Sequence, residues 1–222
     1  MNKGYFVTGT DTGAGKTWAS IALMQAFQKK GYSSCGMKPI ASGGSLCNDE
    51  MVSDDAILLI EASTCPAPYE LTNPVCFETP SSPNIAADLE GRPIRLKQIM
   101  EAYKKILGHA DRVIVEGIGG WRTPCLNSEG MATMVKEMQL PVILVVGMRL
   151  GCINHALLTQ EAILADGVGY AGWIANCVAP DYLHTDKNLE YLRSHIKAPL
   201  LGVIPYRQQR SMEGLGEYIS AP

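Results

Sequence analysis

The sequence predicts an α/β fold, a mostly parallel sheet of about seven strands with helices on both faces, and two observations predict it. Short runs that are apolar throughout alternate with segments of helix length. A strand apolar on both sides is buried on both sides, the condition of a parallel sheet covered by helices. The first such run also passes directly into Gly9-Thr10-Asp11-Thr12-Gly13-Ala14-Gly15-Lys16-Thr17 and then a helix. Strand, glycine-rich turn, Gly-Lys-Thr and helix form the context of a phosphate-binding loop, which sharpens the expectation to a P-loop NTPase-like sheet.

In order, Tyr5-Phe6-Val7 is the first strand candidate. Gly15 to Lys30 reads as a helix, with Ala19, Ala22, Leu23, Ala26 and Phe27 on one face and Gly31 closing it. Ser34 to Lys38 is a second strand, stopped by Pro39, and a loop holding Gly43, Gly44 and Asn48 follows. Asp54 to Glu61 is a helix with Ser53 at its cap. Thr72 to Pro93, with Pro74, Pro80, Pro83 and Pro93, breaks the rhythm and reads as an ordered loop or small insertion. Helices are expected at Ile94 to Leu107, Ala132 to Met138, Cys152 to Ala165 and Lys187 to His195. Further strands are expected at Val113 to Val115, Val142 to Val146, Gly172 to Ala175 and Leu200 to Ile204, with a polar tail from Arg207. The whole chain, 1–222, is expected to form a single domain.

Composition narrows the function. The net charge of −3 offers no broad basic surface, so nucleic acid is not an expected partner. Val142 to Val146 is too short to span a bilayer, and the amino terminus lacks the pattern of a signal peptide, so no membrane is expected and the protein is read as cytoplasmic. Seven scattered cysteines without Cys-x-x-Cys suit free thiols in a reducing compartment. The four histidines show no paired ligand spacing.

The chemistry gathers at the strand ends. In a phosphate loop, backbone N–H groups and the helix N-terminus bind phosphate oxygens, the lysine (Lys16) reaches the β and γ phosphates, and the hydroxyl (Thr17) holds Mg²⁺. The fit is imperfect: the usual first glycine falls at Thr10, and Asp11 puts a negative charge beside the phosphate site. Mg²⁺ asks for one or two carboxylates besides phosphates and water. Glu116, closing the run Arg112 to Glu116 before Gly117-Ile118-Gly119-Gly120, and the pair Asp54-Asp55 at a helix start are the candidates. Lys38 ends the second strand, at the sheet edge where ligands collect; a surface lysine is the alternative. Gly151-Cys152-Ile153-Asn154 opens a helix whose free amides suit an anion, or is a plain helix start capped by Asn154.

Gly9-Thr10-Asp11-Thr12 with Gly15-Lys16-Thr17, Lys38-Pro39-Ile40-Ala41-Ser42-Gly43, Glu116 to Trp121, Gly151 to His155, Gly172 to Asn176 and Pro199 to Pro205 together resemble the dethiobiotin synthetase family, in register from about residue 1 to 206. The resemblance implies a homodimeric, ATP- and Mg²⁺-dependent ligase. It joins 7,8-diaminononanoate and CO₂ through a carbamate and a carbamic-phosphoric anhydride, and releases ADP and phosphate. It implies that Lys16, Lys38 and Thr12 serve catalysis and that Thr17, Asp55 and Glu116 hold the metal. Gly13, Ala14, Gly15, Lys16, Thr17 and Trp18 would wrap the phosphates, with Asp55, Glu116, Gly117, Ile118 and Gly119 also on the nucleotide. Asn176, Cys177, Pro205, Tyr206 and Arg207 would contact its adenine side. Thr12 and Ser42 would meet the carbamate or diamine, and Gly151, Cys152, Ile153 and Asn154 would bind the substrate carboxylate across the dimer.

The chain departs from the family where Gly13-Ala14 replaces a frequent acid and valine, and where Asn188 replaces an aromatic hydroxyl that Tyr191 could supply. A regulatory partitioning-type ATPase would carry a signature lysine at residue 11, which here is aspartate. An amidating synthetase acting on a larger acid would need a longer chain with a glutaminase domain.

Overall fold

A computed structural model describes residues 3–126, 129–180, 182–208 and 211–222. Its centre is a sheet of six parallel strands: β1 (Gly4–Gly9), β2 (Ser34–Met37), β3 (Arg112–Gly120), β4 (Val142–Met148), β5 (Tyr170–Cys177) and β6 (Leu200–Ile204). Their order is β6-β5-β4-β1-β3-β2. The chain runs to one side of β1 first and then to the other, so the crevice at the carboxyl end of β1 is the switch point where such sheets bind ligands.

The strands are apolar because both faces are covered. In β4, Val142, Leu144 and Val146 point into one core while Ile143 and Val145 point into the other, the two-residue alternation of a strand. The first core is closed by α5 (Leu96–Ile106), α6 (Met131–Met138) and α7 (Cys152–Ala165), through residues such as Ile99, Met134 and Ile163. The second is closed by α1 (Lys16–Lys29) and α2 (Asp54–Ala62), through Leu23, Phe27 and Leu59. Full burial of each such side chain is worth about 1.5–3 kcal/mol. The remaining helices are the short α3 (Tyr69–Thr72) and α4 (Pro83–Leu89), and α8 (Thr185–His195).

Three segments carry structure that the sequence left open. The polar tail is not loose: Gln25 of α1 donates to the Met212 carbonyl (2.8 Å) and accepts from the Gly216 amide (2.9 Å), and Leu215 and Ile219 join the second core. That covering buries α1 on more than the one face its pattern suggested. The proline-rich stretch 72–93 is not only loop. Val75–Phe77 pairs in parallel with Ile40–Ser42, and Pro83 starts α4, where its missing N–H costs nothing. The segment around Gly43 and Asn48 is a hairpin, Ser45–Cys47 with Glu50–Val52, turning on Asn48 and Asp49 at positive φ. Ser53 and Gly31 do sit at the helix ends foreseen for them, although the Ser53 hydroxyl makes no capping bond. No helix among the described residues is long and apolar enough to cross a membrane.

Candidate functional site

The phosphate loop links β1 to α1 at the switch point. Gly13 and Gly15 both take positive φ (84° and 83°), a conformation an L side chain adopts only under strain. Gly15 has a second reason to be glycine, because a Cβ there would sit 1.9 Å from Asn176 Nδ2. Asn176, at the end of β5, donates through that nitrogen to the Ala14 carbonyl at 2.9 Å and so ties the loop to the sheet.

Asp11 does not face the phosphate site as a free charge. Thr10 Oγ1 donates to it at 2.6 Å, and its other oxygen is ion-paired with Arg149. Arg149 follows β4 at the carboxyl edge of the sheet, by the same rule that singled out Lys38, and sequence reasoning passed it over.

Lys16 is buried and donates to the Asp11 carbonyl (3.1 Å). Burial, with the nearby Lys38 charge adding to it, brings its amine down to about 8. Thr17 Oγ1 lies within hydrogen-bond reach of Asp55 Oδ1 (2.8 Å) and Glu116 Oε1 (3.0 Å). Lys38 is not a surface lysine. It comes directly after β2, is 3 % exposed, and donates to Glu116 Oε1 (2.6 Å), Asp55 Oδ2 (2.8 Å) and the Gly117 carbonyl (3.2 Å). Burial disfavours its charge, but Glu116 and Asp55 outweigh burial and hold the ammonium above its ordinary range. Burial raises the Glu116 carboxyl against the pull of Lys38, whereas in the half-exposed Asp55 the pull of Lys38 and Thr17 wins over burial and lowers it.

Glu116 lies within β3 rather than at its end. The strand runs on to Gly120 with a register shift opposite Val7 and Gly9. Gly117 lets that turn of strand pack on Met131 and Phe6, which a Cβ would meet at 2.6 and 2.9 Å.

These residues line two adjoining cavities that share Gly13, Gly15 and Trp18. The larger, about 970 Å³, holds Thr12, Lys16, Thr17, Lys38, Asp55 and Glu116. Ser42, Ile118 and Gly119 also line it. The smaller, about 200 Å³, is lined by Asn176, Cys177, Pro205, Tyr206 and Arg207. Sequence reasoning missed Ser81, Ser82 and Thr123 in the larger cavity and Ser211 and Leu215 in the smaller. Proline density marked residues 80–83 as irregular but gave no sign that they wall a cleft.

Gly151, Cys152, Ile153 and Asn154 line neither cavity. Gly151 itself caps α7, with φ 94°, so Asn154 is not the cap; it lies one turn in and is exposed. Asn188 bonds back to the His184 carbonyl (2.8 Å) and Tyr191 stacks on His195, both away from the two cavities. The Glu213 carbonyl accepts from Arg207 (2.8 Å).

A family model described as "AAA domain" matches residues 3–213. The chain is 48% identical to the ATP-dependent dethiobiotin synthetase BioD of Aromatoleum aromaticum, over 92% of this chain and 91% of that one. It is 44% identical to the same-named protein of Vibrio parahaemolyticus and 45% identical to BioD 1 of Salmonella typhi, each over 99% of this chain and 96% of the relative. The chain belongs to the dethiobiotin synthetase family. The fold of this synthetase is also similar to a solved chain of the MinC:MinD cell division protein complex of Aquifex aeolicus, with TM-score 0.53 and 16% identity over 93% of this chain and 83% of that one. At that identity the likeness speaks to fold alone. The synthetase lacks the lysine that a switch ATPase would place at residue 11; its Asp11 pairs with Arg149 instead.

Proposed function

We propose that this chain is a single-domain dethiobiotin synthetase that uses ATP to close 7,8-diaminononanoate and CO₂ into the cyclic urea dethiobiotin. Family membership supports the reaction class. The observation that carries it to these residues is the pair of buried lysines, Lys16 and Lys38, lining the same cleft as the phosphate loop.

One amine and CO₂ form a carbamate, whose oxygen attacks the γ-phosphorus of ATP. ADP leaves and a carbamic-phosphoric anhydride remains. The second amine then attacks the carbonyl carbon, the C–O bond to phosphate breaks, and the ring closes. The carbamate and the γ-phosphate are both anions, so their approach needs fixed positive charge. Lys16 and Lys38 supply it, preorganised and shielded from water. Thr12 and Ser42 face the carbamate or diamine, and Asn176, Cys177 and Pro205 to Arg207 hold the adenine side. Gly13 to Trp18 wrap the phosphates, with Ile118 and Gly119 on the wall of the same cleft and Gly117 packed behind them. The rate comes from positioning and charge rather than from a protein nucleophile.

Thr17, Asp55 and Glu116 fit Mg²⁺. They offer a hydroxyl and two carboxylates within one hydrogen-bond cluster, and Glu116 Oε2 is fully buried with no hydrogen-bond partner among the described residues, a donor set that suits an ion sharing its shell with phosphates and water. When bound there, the ion would neutralise phosphate charge. In a homodimer, Gly151 to Asn154 of one protomer would bind the substrate carboxylate in the partner's cleft; of the four, Gly151 and Asn154 are exposed, and none lines a cavity of its own chain. Among the described residues no helix is long and apolar enough to cross a membrane.

The test is direct. Incubated with diaminononanoate, bicarbonate, Mg²⁺ and ATP, the protein should release dethiobiotin with one ADP per product. ATP hydrolysis without product would overturn the proposal.

A further inference from the structure

Lys38 and Asp55 meet at 2.8 Å, yet they stand on separate pieces of chain, the exit of β2 and the start of α2. What fixes one piece against the other is a third segment, 69–73, for which the mechanism above has no use. Both main-chain groups of Lys38 bond to it: the Lys38 amide donates to the Thr72 carbonyl (2.8 Å), and Asn73 Nδ2 donates to the Lys38 carbonyl (2.6 Å) and to the Val75 carbonyl (3.1 Å). The Tyr69 hydroxyl donates to Asn73 Oδ1 (2.8 Å) and accepts from the Ser53 amide (2.8 Å), two residues before Asp55. Thr72, Asn73 and Ser53 are all buried.

The result is a continuous polar chain from the Lys38 backbone, through Asn73 and Tyr69, to the residue that opens α2. The Asn73 bonds to Lys38 and Val75 are buried and have little freedom to shift, because leaving either partner unsatisfied costs about 1–3 kcal/mol, while the Tyr69 bonds are part-buried. Asn73 is suited to the centre: its amide donates twice and its oxygen accepts once, so a single side chain reads both neighbours. Neither Tyr69 nor Asn73 lines the cleft, so neither acts on substrate directly.

We infer that Tyr69 and Asn73 are positioning residues that set the distance between the Lys38 ammonium and the Asp55 carboxylate, and through it the charge offered to the transferring phosphoryl group. The inference rests on the synthetase reading for its rate effect but not for its geometric one, and the experiment separates the two. Tyr69→Phe removes only the hydroxyl. It should lower kcat about fivefold to tenfold, the loss of one net hydrogen bond in the transition state, and leave the KM for ATP within about twofold, since the phosphate loop is untouched. In a Lys38→Ala background the same change should cost nothing further, because its effect passes through Lys38. Asn73→Asp, which withdraws the donor to Lys38 but keeps an acceptor for Tyr69, should lower kcat by more than Tyr69→Phe does.

The geometry is read without turnover by the Lys38 Nζ ammonium resonance in ¹⁵N-lysine NMR, assigned by its disappearance in Lys38→Ala. It should shift or broaden in Tyr69→Phe. An unmoved resonance would overturn the inference even if the protein made no dethiobiotin. So would an unchanged kcat in a protein that does make it, or a full additive loss in the Lys38→Ala background. A lowered melting temperature with wild-type kcat would reduce Tyr69 to a structural role and overturn it as well.

Discussion

Around Lys38, polar groups are bonded to one another within a single chain, whereas at the start of α7 Gly151 and Asn154 are exposed to solvent. Both regions lie beyond strand ends of one sheet, Lys38 singled out by that place and Gly151 to Asn154 as a helix start. The difference lies in what each must hold. Charge proposed to face a triphosphate has to be preorganised, and here Lys38, Glu116, Asp55 and Thr17 are bonded to one another. At the start of α7 the Cys152 amide is already taken by the Arg149 carbonyl (3.0 Å), and Asn154 is exposed; in the proposed dimer the partner's cleft would bring the substrate to it.

The largest effect is expected at Lys38. Lys38→Ala should reduce turnover about 10²–10³-fold, the scale of a lost charge contact to a transition state, while equilibrium dialysis still finds ATP bound. Retained turnover would mean the buried cluster is structural only. At the other region, Asn154→Ala should raise the KM for diaminononanoate about tenfold, as for one hydrogen bond to a charged group, with the KM for ATP unchanged. Mixing it with Lys38→Ala protomers should restore part of the activity, since one cleft of each hybrid dimer is then intact. Activity no higher than that of the two variants apart would remove the cross-dimer assignment.

A third prediction concerns Lys16, whose amine burial lowers to about 8. The sign follows from that depression. Between about pH 8 and 10.5 the unfolded chain keeps a proton on this lysine that the folded chain has released, so the contribution of Lys16 to stability rises with pH in that window. ATP binding runs the other way, because the triphosphate favours the ammonium. Above about pH 8, ATP should bind with uptake of a proton and its KM should climb toward about tenfold per pH unit. Calorimetry in buffers of different ionisation enthalpy reads the proton directly, and no uptake at pH 9 would contradict the prediction. The smallest effect belongs to Asn176→Ala. Losing the tie to Ala14 should raise the KM for ATP about threefold to tenfold and weaken inorganic tripolyphosphate in parallel. A loss confined to ATP would show that Asn176 serves adenine alone.

Much of the sheet was legible because its signal is local. Strands apolar on both sides and a Gly-Lys-Thr after the first of them left few alternatives, and α7 was expected at its observed bounds, Cys152–Ala165. Lys38 was legible for the same reason, as a polar residue where an apolar strand runs out, and Glu116 as the polar residue closing the apolar run Arg112 to Glu116, although its strand continues to Gly120; Asn176 came only from the family resemblance. What stayed hidden depends on contacts across the chain. Arg149 has meaning only beside Asp11, and Asn73 only beside Lys38, 35 residues away. The tail read as polar because its few apolar residues, Leu215 and Ile219, find their partners on α1 and β6 rather than near themselves. Residues 80–83 reach the cleft because strand Val75–Phe77 and α4 fold them back over it, which proline content cannot foretell.

The central claim is that the γ-phosphoryl group passes to a carbamate oxygen rather than to water, and one measurement addresses it directly. Supply the substrate as C¹⁸O₂ in unlabelled water with diaminononanoate, Mg²⁺ and ATP, quench before the label exchanges, and weigh the phosphate released. The account predicts one ¹⁸O in each phosphate, carried from the carbamate through the anhydride, and one in the urea carbonyl of dethiobiotin. Phosphate free of label would show that water takes the phosphoryl group, and would contradict the account.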